Sequence, residues 1–82
     1  MNYNVTWLPA AEAELADIWN RHPDRAAVTR ASHELEQDLA ARGAAVGESR
    51  PNGRRVTFVG PLSATFRVTG RRVTVIRVWS HS

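Results

Sequence analysis

Seven arginines and no acid fall within residues 49–82: Arg50, Arg54, Arg55, Arg67, Arg71, Arg72 and Arg77. A guanidinium presents its N–H donors in a planar fork and grips phosphate oxygens two at a time. Such a set, with no carboxylate among it, points to a polyanion or an acidic protein segment as partner. Residues 1–48 carry all eight acids and four arginines, net −4, against net +7 for the rest. Pairing between the two halves is the competing account of this charge, yet a surplus remains after every acid is used. All eleven basic residues are arginine, alongside twelve alanines, a bias that GC-rich codon usage produces as readily as selection does.

Other chemistries find little support. His22, His33 and His81 have no partner at metal-ligand spacing, and there is no cysteine. No Ser-His-Asp arrangement, phosphate-binding P-loop or GxGxxG stretch occurs, so neither a metal nor a nucleotide cofactor is expected. Glu48, in "VGESRP", is the one acid beside the basic half, and an ion pair with Arg50 or Arg54 would account for it.

These side chains need a scaffold, and 82 residues suffice for one domain, 1–82, burying roughly 60–65% of the surface of its unfolded chain. No apolar run approaches the roughly 20 residues of a membrane span. Met1 leads directly into a strand-like segment, so a soluble, cytoplasmic protein without membrane contact is expected. Tyr3, Val5 and Trp7 alternate with polar residues, as in a half-buried strand. Pro9 suits a first helical turn, and Ala11, Leu15, Ile18 and Trp19 recur at helical spacing to about Arg21. Pro23 breaks that helix and Asp24 is an N-cap for a second, whose stripe Val28, Ala31, Leu35 and Leu39 runs to Arg42, with Gly43 at C′. Residues 43–53, "GAAVGESRPNG", read as a loop. Strands follow at about 54–59, 62–69 and 72–79, separated by Gly60-Pro61 and Gly70-Arg71.

The order β-α-α-β-β-β predicts an α+β fold in which a helical hairpin covers one face of a mainly antiparallel four-stranded sheet and leaves the other open. A two-residue turn at Gly70-Arg71 pairs Phe66 with Val75 and Val68 with Val73, setting Arg67 opposite Thr74 on the open side. A three-residue loop at 60–62 pairs Val56 with Phe66 and Phe58 with Ala64, which sets Arg55 opposite Arg67. The open face then carries Arg55, Thr57, Ser63, Thr65, Arg67, Thr69, Thr74 and Ser80 over Ile76 and Val78. Like charges directly across a strand pair destabilise by up to roughly 1 kcal/mol, which makes sense where an anion comes between them. Arg67 is the first candidate for phosphate contact, with Arg54, Arg55 and Arg50 behind it. By parity Arg77 faces the helices and pairs with a helix acid, and Trp7, Trp19 and Trp79 belong to the core.

The opening "YNVTWLPAAEAEL", the basic Gly-containing loop, the "FRVTGRRVTVIRVW" hairpin and the terminal histidine together resemble the RelE/ParE superfamily of bacterial type II toxins, over the whole chain. The resemblance implies a RelE-like fold and a growth-inhibiting toxin held inactive by a cognate antitoxin, whose C-terminal segment wraps the basic surface. Members similar to RelE cleave mRNA on the ribosome through the 2′-OH of the preceding ribose, without metal. Members similar to ParE poison DNA gyrase and lack that catalytic set. Metal-free cleavage needs a base for the 2′-OH, positive charge at the phosphate and an acid for the leaving 5′-oxygen. The resemblance gives His81 the acid's place, since some family nucleases keep a histidine at the C-terminus, and imidazole suits proton transfer near neutrality. It sets Glu48 near a loop glutamate that serves as base in one subgroup. The family's usual catalytic arginine aligns with Ser63, however, and the C-terminal tyrosine of several members is replaced by Ser80 or Ser82. Arg67, four positions beyond Ser63 on the same face, is the substitute. The expectation is an mRNA-cleaving toxin, with a gyrase inhibitor or an antitoxin-binding member without activity as the alternatives.

Overall fold

The computed structural model of the chain describes residues 2–81. Strand β1 (Asn4–Trp7) leads into helices α1 (Pro9–Arg21) and α2 (Arg25–Arg42), and strands β2 (Glu48–Arg50), β3 (Arg54–Val59), β4 (Leu62–Thr69) and β5 (Arg72–Ser80) follow. The sheet runs β1-β5-β4-β3-β2, with β1 parallel to β5 and every other pair antiparallel. The α+β architecture and the two-helix layer are as expected. Five strands stand where four were predicted.

The helix boundaries follow from local chemistry. Pro9 opens α1, where a missing N–H costs nothing. His22 Nδ1 accepts from the Asp24 N–H at 2.9 Å, closing the turn that Pro23 enforces. Asp24 Oδ1 then accepts from the Ala27 N–H at 3.0 Å and caps α2. The stripe Val28, Ala31, Leu35 and Leu39 is buried against Leu62, Ala64, Phe66, Val73, Val75 and Val78 of the sheet. Phe66, with no exposed surface, sits at the centre of this core.

Three departures from the expected register decide what the open face carries. The loop at 43–53 contains β2, whose three residues pair Glu48 with Val56, Ser49 with Arg55 and Arg50 with Arg54. A strand this short has no periodicity to read among Gly, Pro and Asn. The β3–β4 turn has two residues rather than three, with Gly60 at its first central position at φ +53°. Arg55 therefore lies opposite Phe66 and Phe58 opposite Ser63, so every β3 side chain exchanges faces relative to the prediction. Finally, a bulge between Thr65 and Phe66 leaves Ile76 unopposed: Phe66 pairs with Val75, but Thr65 pairs with Arg77 and Ser63 with Trp79. Val78 thereby enters the core at 2% exposure, Ser80 moves to the side of Leu62, and Trp79 turns to the open face. Of the other tryptophans, Trp7 is half-buried against the core and Trp19 lies at its rim, 39% exposed, beneath the Arg25 guanidinium.

Beyond Trp7, which pairs with Val75, β5 has no strand on its outer side. Helix α1 closes that edge with one side chain. Glu14 Oε1 accepts from the Val78 N–H at 3.0 Å and Oε2 accepts from Arg77 Nε at 2.8 Å, so Arg77 pairs with a helix acid as expected, although the bulge sets it in the row of Thr65 on the open side and not on the helix-covered face. The Arg77 side chain is 62% exposed, so the ion pair itself contributes little, and the capped backbone donor is the larger effect. Glu14→Ala is expected to cost about 1–3 kcal/mol in urea unfolding, and Glu14→Gln, which keeps an acceptor for Val78, clearly less.

Candidate functional site

Cross-strand pairing orders the open face into rows. One row crosses all five strands as Thr6, Thr74, Arg67, Arg54 and Arg50. Beside it lies Asn4, Arg72 and Thr69. On its other side stand Arg77, Thr65, Val56 and Glu48, and beyond them Trp79, Ser63 and Phe58.

Arg67 is thus on the open face, as predicted, but the arginine directly opposite it is Arg54 and not Arg55. Arg55 has left that face altogether. Its Nε donates to the Val46 carbonyl at 2.8 Å, Nη2 to the Gly47 carbonyl at 3.0 Å and Nη1 to Ser49 Oγ at 2.9 Å, so it pins the segment that delivers β2. Among the described residues no acid stands within ion-pair distance of Arg54, Arg67 or Arg72. With Asn4, Leu8, Thr69, Thr74 and Ile76 these arginines line a basin of about 700 Å³. Cα atoms of directly paired residues lie only about 4.5–5.5 Å apart, so Arg54 and Arg67 repel one another until an anion bridges them.

Glu48 is on the same face and pairs with Arg50, Nη1 to Oε1 at 3.3 Å. The Arg50 side chain is 44% exposed and that of Glu48 71%, which leaves the pair weak and the carboxylate available.

His81 is held at the far end of the face by three contacts. Its backbone N–H donates to the Pro61 carbonyl at 3.2 Å, its Nδ1 lies 2.5 Å from Ser63 Oγ, and its ring meets Phe58 edge-on at 5.4 Å between centroids. With Nδ1 engaged, Nε2 is the nitrogen that can meet a ligand, in whichever tautomer the ring stands. Ser63 has no exposed surface, and its hydroxyl lies beneath the imidazole. Ser82 lies outside the described residues.

Arg67 and Ser63 are four residues apart on β4, roughly 13 Å along the strand. Thr65 lies midway, with Glu48 in its own row across Val56. The face therefore brings Arg67, Arg54 and Arg50 together at one end and sets His81 at the other, with Thr65 midway between them on β4. The aromatic part of the face was missed at the sequence level, because the bulge that exposes Trp79 falls inside the strand-like run Val73 to Trp79 without any Gly or Pro to mark it.

A second hollow, about 560 Å³, lies between the helices and is lined by Trp7, Leu15, Trp19 and Val28 with Glu12 and Glu36. Its acids make it unsuited to an anion. Among the described residues no three His, Asp or Glu side chains are placed to share a metal ion, and no helix is long and apolar enough to cross a membrane.

No family model matches the sequence, and no curated protein does. Solved structures resemble the fold along its full length. The chromosomal ParDE toxin–antitoxin system of P. aeruginosa superposes with a TM-score of 0.76 at 21% identity, covering 98% of this chain and 97% of that one. The RelBE2 toxin–antitoxin complex of Mycobacterium tuberculosis gives 0.79 at 17% identity over 99% and 100%. The YoeB dimer of Staphylococcus aureus gives 0.68 at 17% identity over the whole of both chains. The chain has the fold of the RelE/ParE-type toxins, as the sequence pattern predicted.

Proposed function

We propose that this chain is the toxin of a type II toxin–antitoxin pair and that its open sheet face takes RNA, cleaving mRNA on the ribosome without metal. The observation that carries the reading is the row Arg50, Arg54 and Arg67, which sets guanidinium opposite guanidinium across two strand pairs with a single acid, Glu48, at its margin. Each of those contacts is unfavourable in the free protein and favourable once a phosphodiester lies across it. The fold's likeness to proteins of the ParDE, RelBE2 and YoeB-YefM toxin–antitoxin systems supports an antitoxin as partner.

The scissile phosphate is placed over Thr65. Arg67 reaches it from one side and stabilises the charge that builds on its oxygens as the 2′-oxygen attacks phosphorus. His81 Nε2 reaches it from the other side and gives a proton to the departing 5′-oxygen, while Glu48, released from Arg50, takes the proton of the 2′-OH. The products are a 2′,3′-cyclic phosphate and a free 5′-OH, so protons balance between Glu48 and His81 without a metal or cofactor.

A second reading is favoured by a specific feature: Ser63 stands at the family arginine's position and ties His81 down through Nδ1. A face so arranged would bind without cleaving, either DNA gyrase or only the antitoxin. Inducible expression in a bacterial host separates these readings, with growth and mRNA 5′ ends followed for the wild type and for Arg67→Ala. Growth arrest with new, codon-phased mRNA ends that fall at least tenfold in Arg67→Ala is the expected result. Arrest with intact mRNA and induced DNA damage would move the function to gyrase. Full growth of the wild-type strain would leave antitoxin binding alone.

A further inference from the structure

Among the described residues four large apolar side chains are exposed, and two of them, Phe58 at 57% and Trp79 at 40%, lie in one row of the open face on either side of Ser63. Neither packs on the helices. Trp79 is carried to this side by the bulge at Ile76, which breaks ladder pairing, and Phe58 by the two-residue turn at Gly60-Pro61. Between them in the row, Ser63 lies under His81, whose ring meets Phe58 edge-on. The exposed aromatic row lies roughly 13 Å along β4 from the arginine row, on the same face.

Flat π surfaces beside a row of guanidinium groups match the two faces that a single-stranded nucleic acid offers, its bases and its backbone. An acidic peptide would use the arginines and leave the rings exposed to water, whereas a duplex hides its bases from them.

We infer that Phe58 and Trp79 form a base-stacking subsite beside His81, so that the face holds single-stranded RNA by a nucleobase at one end and by phosphates at Arg54 and Arg67 at the other. The inference rests on the reading of this face as an RNA site and adds what selects the substrate: an unpaired base, not charge alone. His81 Nε2 then lies next to the stacked nucleotide, and the phosphate joining it to its neighbour falls over Thr65. Stacking also fixes which phosphodiester reaches His81, so the rings set the cleavage position as well as affinity.

The test uses the full chain and two probes of equal length and charge, a single-stranded RNA octamer and the same backbone without bases, with binding read by fluorescence anisotropy across a salt series. The wild type is expected to bind the octamer about 5- to 100-fold more tightly than the abasic backbone. Phe58→Ala and Trp79→Ala should each remove most of that preference while leaving abasic binding and the salt slope unchanged, and Trp79→Phe should restore it. Phe58→Ala truncates a ring that is mostly in solvent, and the wild-type comparison of the two probes needs no variant. Equal wild-type affinity for both probes would overturn the stacking subsite while the arginine site stands. A poly-glutamate peptide of the same charge competing as well as the octamer would overturn it too. No binding of either probe would remove the RNA reading itself.

Discussion

Replacing Arg54 and Arg67 together by glutamine is expected to weaken binding of a single-stranded RNA octamer and to raise the melting temperature in the same protein. Each phosphate neutralised on a single strand contributes about −0.7 to the slope of log K against log salt. Loss of two such contacts flattens the slope by about 1.4, which at 0.1 M salt amounts to about 25-fold in affinity. The two residues face each other directly, with no acid at ion-pair distance. Removing that repulsion returns up to about 1 kcal/mol, less as salt screens it, and for a domain of this size 1 kcal/mol corresponds to about 4–8 °C. Glutamine keeps most of the side-chain stem on the sheet, so packing changes little. Opposite signs in the two measurements identify residues held for a ligand. A fall in both affinity and melting temperature would instead assign the pair to the fold and withdraw the arginine site.

The second large effect lies away from the charge. Gly47 sits at φ +70°, and a Cβ there would stand 2.2 Å from the Val56 carbonyl oxygen and 2.9 Å from its carbon. That neighbour is backbone of β3, which no rotamer change can move aside. Gly47→Ala therefore combines a left-handed backbone cost of about 1–3 kcal/mol with a clash that only displacement of β2 relieves, and about 3–5 kcal/mol in total is expected by urea unfolding. Gly70 provides the comparison. At φ +59° it has nothing within 4 Å of the added Cβ, so Gly70→Ala should show the backbone cost alone, about 1–2 kcal/mol. Equal losses at the two positions would mean that β2 yields freely.

Gly70-Arg71 also explains why part of the site was legible in the sequence. A two-residue turn leaves one register for the hairpin, and it set Phe66 on Val75, Val68 on Val73 and Arg67 opposite Thr74, as the structure has them. The helices were legible for a similar reason, since Pro9, Asp24 and Gly43 mark their ends. Gly60-Pro61 carries no comparable restriction, because two- and three-residue loops both suit it. The choice between them shifts β3 by one residue, and a period of two turns that single error into a reversal of every side chain. Arg55 and Arg54 exchanged roles for this reason alone. The bulge at Ile76 has no compositional mark at all: Val75, Ile76 and Val78 read as one strand, and only the requirement that both Val75 and Val78 reach the core breaks its alternation. Glu48 was seen as a carboxylate beside arginines and placed in a loop, because three residues are too few to show a period.

The pairing of Asn4 with Arg72 and of Trp7 with Val75 joins segments from near opposite ends of the described chain. During synthesis, the helical hairpin is complete long before β5 has been translated, and its stripe of Val28, Ala31, Leu35 and Leu39 has no sheet to lie on until then. Contacts so distant in sequence also slow folding relative to a helical bundle of this size. The nascent chain therefore passes through a period in which that apolar stripe is uncovered. The basic face is complete only once β5, which carries Arg72 and Thr74, has joined the sheet.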